Sequence, residues 1–114
     1  MSGISTHVLD MTEGRPADGV PVVLEVQGFA GGWKLLGKGR TDADGRSAEL
    51  MPSTQRLQAG IYRLKFDTTA YFRSRNVAVF YPEVSIMFTI RDAEQHHHIP
   101  LLLSPFGYTT YRGS

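Results

Sequence analysis

The sequence contains no cysteine among its 114 residues, which excludes disulfide bonds and thiolate metal sites. It also lacks an excess of charge of one sign: 12 Lys and Arg face 11 Asp and Glu, for a formal net charge of +1. Since no basic run with interleaved aromatics occurs, a small neutral or weakly anionic ligand is expected rather than nucleic acid or an anionic membrane surface. No apolar stretch reaches membrane-spanning length and residues 1–6 show no secretory signal, so a cytoplasmic protein is expected.

Short strands dominate the pattern of the chain. Its length predicts one domain over residues 1–114 with a single core. Apolar residues recur mostly at spacing two, and turn residues interrupt them about every eight to twelve positions, which is typical of an all-β sandwich or barrel. The strands predicted before the closing segment cover residues 6–11, 20–26, 33–39, 47–50, 61–66 and 84–90. Two more strands are expected within residues 96–114.

One segment departs from this alternation. Residues 68–75 predict about two turns of helix, with the hydroxyl of Thr68 or Thr69 as the N-cap. About eight strands and one short helix together predict an all-β sandwich of two four-stranded antiparallel sheets.

The histidines of residues 96–98 are divided by the alternation of side chains across a strand. The residues expected to face the core are Ile99, Leu101 and Leu103. His96 and His98 share the opposite face, and His97 falls on the core side at its margin. The same rule applied to the first and last strands places His7 and Tyr111 so that they open onto one outward surface with His98.

This outward surface is expected to be covered by another subunit, because Leu9 and Leu102 would otherwise be exposed on it. The simplest assembly is an oligomer with twofold axes and a shared cleft. Pro100 cannot donate to a strand ladder, so it predicts an edge position or a β-bulge.

Three motifs and the ending of the chain carry a resemblance to a known family. They are STHVLD at residues 5–10, TDADGR at 41–46, HIPLLLSP at 98–105 and YRGS at 111–114. Over nearly its whole length the chain resembles the transthyretin-like proteins, specifically their enzymatic branch, the 5-hydroxyisourate hydrolases of urate breakdown. Vertebrate transthyretin, a hormone carrier on the same fold, lacks this ending and the histidines that correspond to His7 and His98.

The resemblance implies a transthyretin-like (prealbumin-like) β-sandwich that forms a homotetramer, a dimer of dimers with active sites in the channel between the dimers. It implies hydrolysis of 5-hydroxyisourate to 2-oxo-4-hydroxy-4-carboxy-5-ureidoimidazoline. We expect no cofactor and no metal. The catalytic residues that it implies are His7, Arg46 and His98. The substrate-binding residues that it implies are His7, Arg46, Tyr111, Arg112, Gly113 and Ser114.

These residue types suit the implied hydrolysis. Histidine is a suitable base because its unperturbed pKa of about 6.5 leaves the neutral form available, and either His7 or His98 could accept the proton. Arg46 stays charged and offers a planar fork of donors to an anionic carbonyl or a developing oxyanion. A covalent intermediate is not favoured, because the chain has no nucleophile elbow and no cysteine.

Other interpretations stay open. His96 and His98 could hold a zinc ion, but no third or fourth ligand is evident nearby in sequence, so catalysis is favoured over metal binding. The family usually has an aromatic residue between these two histidines, and His97 stands there instead, so the resemblance assigns it no role. The second functional hypothesis is a non-catalytic small-molecule binding protein of the transthyretin type that uses the same channel.

Overall fold

The computed structural model describes residues 3–47, 50–51 and 55–114, and within them it has nine strands and one short helix, α1 (Thr68–Arg73). The strands are β1 (Gly3–Asp10), β2 (Arg15–Pro16), β3 (Pro21–Gln27), β4 (Trp33–Arg40), β5 (Arg46–Ser47), β6 (Gly60–Phe66), β7 (Val84–Ile90), β8 (His96–Ser104) and β9 (Gly107–Thr110). The strand predicted over residues 84–90 is confirmed at both ends. Of the strand predicted over 47–50, residues 48–49 lie outside the described residues.

The strands form two sheets, which confirms the predicted sandwich. One sheet has the order β2-β1-β8-β9, with β5 also paired to β1, and the other has the order β4-β3-β6-β7. The prediction of two purely antiparallel, four-stranded sheets is wrong in two details: β5 is a fifth strand of the first sheet, and β1 runs parallel to β8. The parallel pair is possible because the whole second sheet separates β1 from β8 in sequence, and only strands joined by a tight hairpin must be antiparallel.

The core lies between the sheets and follows the alternation predicted for β1 and β8. In β8 the apolar residues with exposures of at most 6% on this side are Ile99, Leu101 and Leu103. Val8 of β1 is fully buried beside them, and Leu24 and Leu64 of the second sheet are equally buried. β1 and β8 therefore each give one set of side chains to the core and the intervening set, apart from the buried Pro100, to the outer face.

The proline in β8 does not mark an edge, so this prediction is wrong. β8 lies between β1 and β9, and its pairing with each of them has no register shift. β9 pairs with β8 only from Leu101 to Ser104, and pairing resumes at a single bridge between His98 and Gly113. Pro100 falls in that interruption, where its carbonyl oxygen accepts a hydrogen bond of 2.7 Å from the Thr110 hydroxyl. The missing N–H therefore leaves no gap in a continuous ladder.

The helix α1 begins with a different cap from the one predicted. Asp67 is the N-cap, and its carboxylate accepts a hydrogen bond from the Ala70 N–H at 3.0 Å. The hydroxyls of Thr68 and Thr69 donate instead to the carbonyl oxygens of residues 81 and 82, at 2.6 and 2.8 Å. The helix ends at Arg73, two residues earlier than predicted. Among the described residues, no helix has the length and apolar character needed to cross a membrane.

A buried hydrogen bond joins α1 to the end of β1. The Tyr71 hydroxyl donates to a carboxylate oxygen of Asp10 at 2.6 Å, and the other oxygen of Asp10 accepts from the N–H groups of Thr12 and Glu13. Burial, followed by the hydrogen bond to Asp10, raises the pKa of Tyr71. The hydroxyl therefore stays a donor, and it anchors the strand that carries His7.

Candidate active site

The three residues implied to be catalytic lie together on the outer face of the first sheet. His7 of β1 is directly opposite Arg46 of β5, and Ser5 of β1 is directly opposite His98 of β8. Since cross-strand partners and residues two apart on a strand share a face, all four side chains lie on the same side of the sheet. The ring centroids of His7 and His98 are 6.5 Å apart. The structure thus brings together two imidazoles and a guanidinium from three neighbouring strands.

A tight turn places Arg46 opposite His7. One carboxylate oxygen of Asp42 accepts hydrogen bonds from the N–H groups of Asp44 and Arg46, at 2.9 and 3.0 Å. Gly45 has a φ of 77°, and a Cβ added there would lie 2.4 Å from the carbonyl oxygen of Val8. The carbonyl of Gly45 also accepts from the Val8 N–H at 2.7 Å. Glycine is needed at this close approach, and Asp42 is a turn former rather than an acid or a base.

The environment of His98 favours its neutral form. The side chain is half-buried, and its Nδ1 atom lies 2.8 Å from the Ser5 hydroxyl. Burial is the largest cause that lowers the pKa of His98 below 6.5, and electrostatic interactions with Arg46, His7 and His96 lower it further, in that order. Desolvation and like charges both disfavour the imidazolium ion. A lone pair that can accept a proton is therefore available on His98 near neutral pH.

The hydroxyl of Ser5 lies between two imidazoles. It is 2.7 Å from Nε2 of His96 in addition to its contact with His98. His96 and His98 therefore share a hydroxyl group in the structure. In the ranges 3–47, 50–51 and 55–114 no group of three or more His, Asp or Glu side chains is placed to hold a metal ion.

The residues that follow β9 contact the cluster through Gly113. Its N–H donates to the carbonyl oxygen of His98 at 2.8 Å. A Cβ added to Gly113 would lie 2.6 Å from Cδ2 of His98, so the backbone packs directly against the imidazole. Tyr111 and Ser114 on either side of it are exposed. Of the four residues at 111–114, Gly113 is thus in contact with His98, and Tyr111 and Ser114 remain accessible.

Arg112 is directed elsewhere. Its guanidinium donates to the side-chain oxygen of Gln95 at 2.9 Å. Arg112 and Tyr111 also line a cavity of about 210 Å³ whose other walls include Met87 of β7 and Ile99 of β8. His98 is also among its walls, so the cavity borders the cluster as well as the core-facing side of β8. Sequence reasoning missed Gln95, and no motif pointed to it.

His97 is a core residue, as its position in the alternation predicts. It is only 6% exposed, and its Nδ1 lies 3.0 Å from the carbonyl oxygen of Gln95. A buried ring that donates one hydrogen bond can fill the place of an aromatic side chain. The departure from the family pattern between His96 and His98 therefore falls on the inner side of β8, away from the cluster.

Fold and cluster together define a class: a two-sheet β-sandwich that carries two imidazoles and a guanidinium on the outer face of one sheet. The chain belongs to the HIUase/Transthyretin family, whose model matches residues 4–113. This confirms the resemblance found in the motifs.

Individual relatives support the same assignment. The 5-hydroxyisourate hydrolase of Salmonella typhimurium is 47% identical over 111 residues, which cover 97% of this chain and 80% of the relative. The solved structure of Klebsiella pneumoniae 5-hydroxyisourate hydrolase matches with a TM-score of 0.86 and 38% identity, over 100% of both chains. Sea bream transthyretin in complex with thyroxine matches with a TM-score of 0.90 and 33% identity, over 96% of this chain and 93% of that one.

Proposed function

We propose that this protein hydrolyses 5-hydroxyisourate, opening its six-membered ring to give 2-oxo-4-hydroxy-4-carboxy-5-ureidoimidazoline in urate degradation. The observation that carries the proposal is the convergence of His7, Arg46 and His98 on one sheet face. The choice of substrate follows the name of a 47% identical relative, 5-hydroxyisourate hydrolase.

His98 is the base in this proposal, because its surroundings keep it neutral. Nδ1 faces Ser5, so Nε2 is the atom left to accept a proton from water. The water oxygen bonds to the ring carbonyl carbon as its proton passes to Nε2. The carbon–nitrogen bond of the ring then breaks, and the same proton returns from the imidazolium to the leaving nitrogen. Water adds across one bond, and the enzyme ends in its starting protonation state.

Arg46 and His7 stabilise charge in this step. The turn holds the backbone of Arg46, and its guanidinium offers paired donors to the oxygen that becomes anionic as water attacks. His7 is opposite Arg46 and 6.5 Å from the His98 ring, so it can contact the same substrate from the other side. A substrate between these three groups would meet a donor and a base at once.

The segment at 111–114 forms a wall of the proposed site. Gly113 lies against the His98 ring, which brings the exposed Tyr111, two residues before it, and the exposed Ser114, directly after it, beside the cluster. Tyr111 and Ser114 would orient substrate or water through their hydroxyls, and Arg112 would hold the segment through Gln95.

The site is completed by a homotetramer, a dimer of dimers, in this proposal. The outer face that carries His7 and His98 also carries Leu9 and Leu102, and Met11 just beyond β1 is 58% exposed. Apolar side chains beside a polar cluster favour burial against a second copy. Light scattering of the protein as it elutes from a size-exclusion column should give the mass of four 12.7 kDa chains.

The second candidate is a non-catalytic binding protein of the transthyretin type. The match to sea bream transthyretin in complex with thyroxine favours it, since the fold alone accommodates that function. The cluster disfavours it, because a pocket for an apolar hormone has no need of two imidazoles beside a fixed cation. A carrier would show saturable thyroxine binding and no effect on 5-hydroxyisourate.

The test of the proposed function follows 5-hydroxyisourate by its ultraviolet absorbance as uricase makes it from urate. Added protein should accelerate the decay well above the spontaneous rate. His98→Ala and Arg46→Ala should each lower kcat/KM roughly 10²- to 10³-fold while the oligomer persists. Arg40→Ala on the second sheet is the matched control and should stay within twofold. If 5-hydroxyisourate decayed at its spontaneous rate in the presence of the native protein, the proposed hydrolase activity would be refuted.

A further inference from the structure

The Ser5 hydroxyl is placed to control the neighbouring imidazoles. Its oxygen lies 2.7 Å from Nε2 of His96 and 2.8 Å from Nδ1 of His98. The parallel register sets this arrangement, because Gly3 is opposite His96 and Ser5 is opposite His98. Both histidines therefore project beside one serine from the same face of β8.

A count of protons limits what this hydroxyl can do. A serine has one hydrogen to donate and two lone pairs to accept with, and a neutral imidazole has one N–H and one acceptor nitrogen. If Ser5 donates to His96, the contact with His98 is satisfied when His98 carries its hydrogen on Nδ1. If Ser5 donates to His98, the hydrogen of a neutral His98 lies on Nε2.

Only one of these arrangements leaves a base for hydrolysis. With hydrogen on Nδ1, the Nε2 atom of His98 has a free lone pair that can take the proton of the attacking water. With hydrogen on Nε2, a neutral His98 cannot accept a proton there. Which nitrogen of a histidine is protonated depends on the hydrogen bond made by the other one.

We propose that Ser5 is a positioning residue: by donating to His96 and accepting from His98, it holds His98 as the Nδ1–H tautomer with Nε2 free. Only the expected effect of Ser5 on the reaction rate rests on the proposed function; the expected tautomer of His98 does not. His96 is the last acceptor in this series of hydrogen bonds from His98 through Ser5, and its side chain is exposed to solvent. Neither Ser5 nor His96 contacts the reacting atoms in this scheme.

The activity test compares two substitutions of Ser5. Ser5→Ala removes the hydroxyl and should lower kcat at least tenfold with KM changed less than twofold, since the binding groups stay in place. Ser5→Thr keeps the hydroxyl and should restore most of kcat. Ser104→Ala removes another hydroxyl from the same sheet, one that donates to the carbonyl of Gly107, and should leave kcat within twofold. Wild-type kcat in Ser5→Ala would overturn the proposal.

The tautomer itself can be observed without substrate. Nitrogen-15 NMR of the imidazoles at neutral pH should show His98 protonated on Nδ1 in the native protein, and a mixture of tautomers in Ser5→Ala. His96→Ala should move His98 toward Nε2–H, because Ser5 then has no imidazole acceptor other than His98. The proposed role of Ser5 would be overturned if native His98 carried its hydrogen on Nε2, or if neither variant changed the tautomer of His98. Either result would count even if the protein is active. A protein that shows the expected tautomers without hydrolysing 5-hydroxyisourate would contradict the proposed function alone.

Discussion

The contact between Gly113 and His98 makes a specific prediction for the substitution Gly113→Ala. A Cβ built on Gly113 lies 2.6 Å from Cδ2 and 3.3 Å from Cγ of the His98 ring, and 3.2 Å from the His98 carbonyl oxygen. The imidazole and its own backbone both border the added methyl group. Either the ring must turn, or the segment at 111–114 must move away from β8.

The size of the effect follows from these distances. Carbon atoms in contact normally lie about 3.5 to 4.0 Å apart, so the methyl group and the ring must separate by roughly 1 Å. A displacement of about 1 Å in a reacting group can cost roughly 10²-fold in rate, which corresponds to about 2.7 kcal/mol of transition-state stabilisation. Overpacking costs roughly 1–3 kcal/mol of folding stability in a closed core, and the cost should be lower here because the segment can move.

The measurement is steady-state hydrolysis of 5-hydroxyisourate by Gly113→Ala, alongside urea unfolding at one protein concentration. Gly107→Ala is the control, because its added Cβ would meet only the Ser104 hydroxyl, at 3.9 Å. We expect kcat/KM to fall about 10²-fold in the first variant and to stay within twofold in the second. Equal activity in the two variants would refute the claim that Gly113 positions the imidazole.

Two further predictions concern the turn and the titration of the site. Gly45→Ala should lower activity and should destabilise the protein by more than Gly14→Ala, as measured by urea unfolding: both glycines have positive φ, but only the Cβ at Gly45 would meet a backbone oxygen, at 2.4 Å. Equal loss in the two variants would show that the φ angle alone matters. Carbon-bound proton NMR should place the His98 midpoint below pH 6.5, and Arg46→Gln should raise it by removing a positive charge; a midpoint above 6.5 would contradict the burial argument. Since the folded protein then binds fewer protons than the unfolded chain just below pH 6.5, this contribution to stability decreases as pH falls through that window.

Alternation along single strands was predictable because it depends only on local backbone geometry. The division of β8 into a core-facing set and a histidine-bearing set needs no knowledge of its neighbours, and the structure agrees with it. The same holds for His97, whose burial follows from its place beside Ile99 in the pattern. The strand over residues 84–90 was found at both ends because β-branched and aromatic side chains fill it.

Pairing between distant strands could not be predicted in this way. The parallel register of β1 and β8 joins residues more than ninety positions apart, and Ser5 gains its two imidazole partners only through it. Gln95 was missed for the same reason, since its contact with Arg112 depends on where the end of the chain crosses β8. The prediction of the helix cap was wrong because the hydroxyls of Thr68 and Thr69 donate to carbonyl oxygens in the loop before β7. Asp67 caps the helix instead.

The same alternation explains how one sandwich accommodates both a hydrolase and a thyroxine-binding protein among its structural matches. In β1 the buried Val8 follows the outward His7, and in β8 the buried Ile99 follows the outward His98. Core packing therefore constrains one set of residues and leaves the other set open to exchange. Fold similarity reports on the first set, so the TM-scores of 0.90 and 0.86 cannot separate the two functions. The outward set can under the proposed function, in which the neutral imidazole of His98 is the base and the guanidinium of Arg46 is the cation.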